Sequence, residues 1–254
     1  VALTRPYAGQ AEAWADGAAL AYGPLARHLV ARSPFEVAGV RALDAGAGSG
    51  AAGDALRAAG AQLVSADREP DMARWVAGPA VAADVTALPF RDGAFDLVVA
   101  AFVVNHLPDP VRGLAELRRV TRSGGAVLAS TFSVHRAPAK GAVDQVAARH
   151  GFVAPAWYAD LQACAHAVGG ARVVEAALAE AGFVRWTVVE EPVDLGLDEP
   201  ADVVRYRLSM PHLHRFVRAL PVREAQDLEA EAVEAVRATG ETFAPVVVEA
   251  VAIA

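Results

Sequence analysis

The 254-residue chain predicts an α/β fold built on a doubly wound sheet, and three observations carry that reading. The stretch Val40 to Gly53, VRALDAGAGSGAAG, runs from an alternating apolar segment through an acid and a glycine-dense turn into an alanine-rich, helix-prone segment. That is strand, tight turn and helix, the opening unit of an open sheet. Phe95 to Phe102, FDLVVAAF, is nearly unbroken in its apolarity, as a central parallel strand buried on both faces requires. Five strand-like segments alternate with helical ones between residues 40 and 132.

Residues 1–36 precede the first strand. Ala13, Trp14, Ala18, Tyr22, Leu25 and Leu29 recur at helical intervals, with a break expected near Gly23 and Pro24. The segment reads as an N-terminal helical cap laid over the mouth of the sheet domain. Its Tyr7, Trp14 and Tyr22 either anchor it to the core or line a substrate chamber. After the glycine turn, a helix over 51–59 stops at Gly60, and AQLVSAD makes a second strand ending at Asp67. REPDMARWVAG is a helix closed by Gly78 and Pro79, and VAADVTALPF a short strand followed by a loop. Pro110 to Val120 is a helix with Leu114, Leu117 and Val120 inward, and 123–132 is the fifth strand. From Ser133 to about Gly170 the pattern weakens, with a helix near 141–150 and a Pro/aromatic loop at 154–158. RVVEAALAEAGF followed by VRWTVVEEPVDL reads as helix and strand. Residues 198–219 are helical with an interruption at Met210 and Pro211, 222–238 form an amphipathic helix, and PVVVEAVAIA is the last strand. The expectation is one domain over 1–254, with 198–240 a helical lid inserted between the last two strands.

The net charge of −7 comes without a basic stripe to neutralise phosphates, so a nucleic-acid partner is not expected. One cysteine, Cys164, excludes an internal disulfide. The longest apolar run, Leu97 to Val104, is eight residues, against roughly 20 for a membrane span. With no basic-then-apolar opening segment, a cytoplasmic location and no membrane partner are expected. Homo-oligomerisation stays open.

Gly48, Gly50 and Gly53 satisfy GxGxxG with Asp67 nineteen residues beyond the first, which taken literally is a dinucleotide fingerprint. The turn, however, begins with Asp44 at the strand end. An anion there is badly placed for a pyrophosphate; it can hold a cationic amino group, directly or through water, or brace the loop. Asp67, at the next strand's tip, can accept from both hydroxyls of a ribose. Asp84, after the third strand, can accept from an adenine amine while the Val85 N–H reaches a ring nitrogen. Three acids on successive strand ends describe a cationic, adenosine-bearing ligand without phosphates.

At ALDAGAGSG (42–50), VSAD (64–67) with Met72, ADVTALPF (83–90), FDLVVAAFVVNHLPDP (95–110) and ELRRVTRSGGAVLASTF (116–132), the chain resembles the class I S-adenosylmethionine-dependent methyltransferases. The likeness is greatest to the small-molecule branch related to ubiquinone and menaquinone biosynthesis, closely over 40–132 and more loosely beyond. The resemblance implies a Rossmann-like seven-stranded sheet of order 3-2-1-4-5-7-6 with the seventh strand antiparallel. It implies S-adenosylmethionine as methyl donor and S-adenosylhomocysteine as product. Gly46, Gly48 and Gly50 would pass beside the amino-acid part of the cofactor and Asp67 would hold the ribose. Arg68 and Met72 would flank the adenine, Asp84 and Val85 would read its edge, and Ala101 and Phe102 would lie beneath the methionine moiety. Arg68 departs from the apolar side chain common beside the ribose acid, though its aliphatic stem can cover the ring.

A sulfonium methyl is already electrophilic, so the protein's task is to place a nucleophile in line and exclude water; no metal is required. His212 and His214 are too loose a pattern for a metal site. His106, after the fourth strand, is the candidate general base, weighed against simple packing. His135, Tyr158, Tyr206 and His212 are candidates for contacting a small, flat acceptor. The expected function is methyl transfer to an O, N or C nucleophile of a small molecule. A cofactor-binding protein that cyclises or rearranges its substrate is one alternative, and an NAD(P)-dependent oxidoreductase is another.

Overall fold

The computed structural model describes residues 14–135 and 137–254. Seven strands form one sheet: β1 (Arg41–Ala45), β2 (Gln62–Asp67), β3 (Ala80–Ala82), β4 (Phe95–Ala101), β5 (Thr121–Phe132), β6 (Arg185–Pro192) and β7 (Val246–Ile253). Their order is β3-β2-β1-β4-β5-β7-β6, with β7 antiparallel to both neighbours, as the resemblance implied. Ten α-helices accompany them among the described residues: α1 (Ala19–Ala31), α2 (Ala51–Ala58), α3 (Pro70–Trp75), α4 (Pro110–Val120), α5 (Pro138–Arg149), α6 (Ala156–Ala167), α7 (Ala171–Glu180), α8 (Pro200–Leu208), α9 (Pro211–Ala219) and α10 (Val222–Arg237).

The period-2 alternation of the strands sorts the core into layers. Ala42, Leu97, Val99, Ala126 and Leu128 pack on Leu29 of α1 and Leu56 of α2. Their neighbours Leu43, Val98, Ala100, Val127 and Ala129 face Leu114 and Leu117 of α4 and Leu178 of α7. A third cluster joins α5, α8 and α10 to Phe102, beyond the carboxyl end of β4. Parallel pairing of β1 with β2 and β4, and of β2 with β3, brings Ala45, Asp67, Ala82 and Ala101 to one edge. Open α/β sheets bind ligands at that edge.

Two local expectations are corrected. Helix α1 runs through Pro24 without a break. Proline forfeits one i→i−4 hydrogen bond, and burial of Ala21, Leu25, Ala26 and Leu29 on either side outweighs it. Residues 154–158 are not a loop throughout, because α6 starts at Ala156 just after Pro155. This helix has no fully buried residue, so it lacks the apolar stripe by which a helix is read from sequence. Helices α8–α10 occupy the chain between β6 and β7, where the helical insertion was expected.

Candidate functional site

The turn after β1 is held by the sheet edge. The N–H groups of Gly46 and Ala47 both donate to the Ala66 carbonyl, at 2.7 and 3.0 Å. Gly46, Gly48 and Gly50 all have positive φ, at 80°, 53° and 99°, which the glycine-dense sequence permits. The cavity they open is lined by Asp44, Gly46, Gly48, Asp67, Arg68, Met72, Asp84, Val85, Ala101, Phe102 and His106. Ten of the eleven residues expected to bind the cofactor are thus brought together. Gly50 is the exception: it does not line the cavity but turns the backbone into α2 as its N-cap.

The acids on the strand ends differ in their surroundings. Asp44 is 1% exposed, and neither carboxylate oxygen makes a hydrogen bond of normal geometry among the described residues. Burial pushes its carboxyl up to about 7, with only the nearby Gly53 N–H and Arg57 opposing. Asp67 accepts from the Gly48 N–H and the Glu69 N–H, both at 2.8 Å. Each oxygen keeps a further lone pair for a ligand hydroxyl. Its carboxyl is raised, first by burial and then by the Glu69 charge, against those two N–H donors. Asp84 is partly exposed, and burial raises its carboxyl. The Thr86 N–H and hydroxyl, both at 2.8 Å, together with Arg68 and Arg112, outweigh burial and hold it below the usual range. Glu69, buried in the same wall, was not anticipated, because nothing in its spacing separates it from a solvated helix-start acid.

Phe102 follows β4 directly with φ 56°, the one positive φ on a non-glycine among the described residues. Its N–H donates to the Ser130 carbonyl at 3.0 Å and to Ser130 Oγ at 3.2 Å, so the strained backbone is pinned by β5. The next turn carries Asn105 and His106. Burial, and then the Arg68 charge, lower the His106 imidazole to about 4, so it is neutral at physiological pH.

A second chamber, of about 690 Å³, opens beside the first. The two share Trp14, Tyr22, His106, Trp157 and Leu161 as walls. His135, Tyr158, Tyr206 and His212, all expected at the acceptor, line the second chamber with Trp14 and Tyr22. Tyr7 lies outside the described residues. Trp14 stacks on Tyr22 at 5.2 Å, and Tyr158 stacks on His212 at 3.8 Å. His135 is exposed at the rim, paired with Ser133 Oγ and Glu190.

Sequence reading passed over three charged residues of this chamber: Lys140, Asp144 and Arg207. Arg207 donates two hydrogen bonds to Asp144, at 2.8 and 2.7 Å, and a third to Tyr158 Oη at 3.2 Å. Lys140 lies over the Phe132 ring at 3.8 Å, with Tyr206 and Phe243 each at 5.6 Å. A signal for it existed, since it is the only lysine in a chain with 22 arginines. His28, His150 and His166 are engaged elsewhere, with Glu249, Glu231 and the Gln162 carbonyl. Cys164 is half-buried, and burial pushes its thiol up, away from nucleophilic thiolate.

Residues 43–129, from β1 through most of β5, match a family model described as a methyltransferase domain. The chain is 39% identical over 120 residues to a demethylmenaquinone methyltransferase of Clavibacter sepedonicus, covering 44% of this chain and 49% of that protein. A second such enzyme, from Renibacterium salmoninarum, is 35% identical over 118 residues, covering 42% and 47%. The chain therefore spans about half the length of these curated relatives. Among solved structures, phosphoethanolamine N-methyltransferase 2 of Haemonchus contortus, in complex with phosphomonomethylethanolamine and S-adenosylhomocysteine, aligns with a TM-score of 0.59 and 16% identity. That alignment covers 90% of this chain and 52% of that one. By motif, by family model over its first five strands and by fold, the chain resembles the class I S-adenosylmethionine-dependent methyltransferases related to quinone biosynthesis.

Proposed function

We propose that this protein transfers a methyl group from S-adenosylmethionine to a small organic acceptor. The observation that carries the reading is Asp44, an enclosed carboxyl group with no hydrogen bond of normal geometry among the described residues and only the Gly53 N–H close by, followed by Asp67 and Asp84 on the next strand ends. A buried carboxylate demands a donor or a cation. The ammonium group of an amino acid attached to adenosine meets that demand, with Asp67 for the ribose hydroxyls and Asp84 and Val85 for the base. The cofactor supplies the electrophilic methyl. The chain's own residues orient the donor, wall off water with Trp14, Tyr22 and Trp157, and present an acceptor from the neighbouring chamber. Positioning of this kind is worth up to about 7–11 kcal/mol in ideal cases. A dinucleotide is disfavoured, since its pyrophosphate would meet Asp44 at the turn.

Calorimetry of the folded protein with S-adenosylmethionine and S-adenosylhomocysteine tests this, and binding of neither defeats it. Asp67→Ala removes the acceptor for the ribose hydroxyls and the brace of Gly48. It is expected to weaken both ligands by at least about tenfold, from hydrogen bonds to a charged group worth roughly 1.5–3 kcal/mol; unchanged affinity removes the ribose assignment. His106 faces both chambers as a neutral imidazole, and we assign it the proton-accepting position. Undiminished turnover of His106→Ala under chemistry-limited conditions rejects that role.

The relatives' demethylmenaquinone activity carries over only as far as the shared half, which is the donor side. The acceptor is therefore proposed as a small molecule without further identity from them. A scaffolded non-methylating reaction is the second reading, because the [4+2]-cyclase SpnF shares this fold at a TM-score of 0.55 and 17% identity. A product heavier by one methylene supports transfer; an isomer of the substrate supports the second reading.

A further inference from the structure

Resting on the reading of the second chamber as the acceptor site, we propose that Lys140 pairs with an acidic group on a flat, conjugated acceptor. The chain meets its need for cations with arginine 22 times and with lysine once, and that lysine lines this chamber. Its Nζ rests on Phe132 at 3.8 Å and makes no ion pair among the described residues. The nearest acid, Asp144, is engaged by Arg207 through two hydrogen bonds. Among the described residues, Lys140 therefore lines the chamber without a carboxylate of its own.

The surrounding surface fits a planar molecule. Phe132 packs on Phe102 at 4.4 Å, and Phe102 lines the donor cavity. Phe132 thus lies between the donor-cavity wall at Phe102 and the Lys140 amine, so a ring bound beside it is near both. Two further polar atoms of the same chamber lack hydrogen-bond partners among the described residues: His212 Nε2, on a residue 7% exposed, and Asn105 Oδ1. A ligand with polar substituents would satisfy both.

The choice of lysine over arginine has a physical reason. Burial, and then Arg207, lower the Lys140 amine to about 7, against the pull of Asp144. Without an anion beside it, the amine sheds its proton rather than remain an enclosed unpaired charge, which a guanidinium cannot do. An arriving anion restores the proton. The other charged and titratable groups lining this chamber are Asp144 on the helix of Lys140, Arg207 and Tyr206 on α8, Tyr158 and His166 on α6, His212 on α9, Tyr22 on α1, His106 after β4 and His135 beyond β5. Tyr206 is raised to about 12 and His212 lowered to about 2, both by burial first, so neither changes charge near neutrality.

Because Lys140 is the only lysine, protein carrying lysine with a ¹³C label at Cε reports it as a single side-chain resonance. The probes are 2-naphthoate and its neutral amide, 2-naphthamide, added with and without S-adenosylhomocysteine. The resonance is expected to titrate near neutrality and to move upward by about one pH unit or more with naphthoate, but not with the amide. Naphthoate affinity should fall about tenfold in Lys140→Met. It should also fall as pH rises above about 7 in the parent protein, and stay level in Lys140→Arg. A resonance indifferent to naphthoate, an equal response to the amide, or unchanged affinity in Lys140→Met overturns the proposal. Failure of the donor reading shows separately, as absent heat for S-adenosylhomocysteine alone.

Discussion

Asp44 sets stability against binding within one carboxyl group. Its value is raised from 3.8 to about 7 by burial, so the folded protein holds its proton more tightly than the unfolded chain does. Stability from this group is complete below about pH 4 and is lost as pH rises through about 7. Denaturation of the ligand-free protein should show that decline, and Asp44→Asn should flatten it while weakening S-adenosylmethionine by about tenfold or more. An unaltered pH slope in the variant would exclude Asp44 as its source. The residue's place at a strand end was legible, because acid followed by glycine closes an alternating run. Its isolation was not, since the neighbours that exclude water come from β2 and α2. Lys140 shows the converse. Its rarity is plain in the sequence, yet the rings around it are Phe132, Tyr206 and Phe243, up to about a hundred positions away.

The glycine turn owes its shape to packing as well as to conformational freedom. A Cβ on Gly46 would meet Val103 Cγ2 at 2.4 Å, whereas one on Gly48 would have Trp14 Nε1 at 3.6 Å as its nearest neighbour. Both positions have positive φ, so both alanine variants carry backbone strain. Gly46→Ala should therefore cost about 1–3 kcal/mol more stability than Gly48→Ala, from overpacking against the turn that bears His106. Equal losses in chemical denaturation would show that the Val103 contact relaxes freely. At this scale the parallel strands were readable from β-branched and aliphatic runs. Helix α6 was hidden, because it presents no buried stripe and its Trp157 and Tyr158 face the cavities.

The whole molecule is drawn together by Glu249, 1% exposed on β7. Both it and Glu191 of β6 pair with Arg32, the residue that caps the end of α1, and His28 of α1 adds a contact to Glu249 at 3.0 Å. The first helix described and the last strand are thereby joined through charge as well as core. Glu249→Gln should lower stability by about 2–3 kcal/mol, less than a fully buried pair because Arg32 is partly exposed and keeps Glu191. S-adenosylhomocysteine affinity should stay within about twofold, since Glu249 lines neither chamber. A large loss of affinity would mean that α1 positions Tyr22 through this network.

The succession of strands and helices along the chain, and the place of the cavity-lining residues Asp44, Gly46, Gly48, Asp67, Asp84 and Val85, follow from the chain's local pattern. Each lies at or just past the carboxyl end of a parallel strand, and parallel pairing delivers all such ends to one edge. The second chamber obeys no such rule. Tyr22, Lys140, Tyr158, Tyr206 and His212 come from five different helices, and only the packing of those helices decides that they face one another.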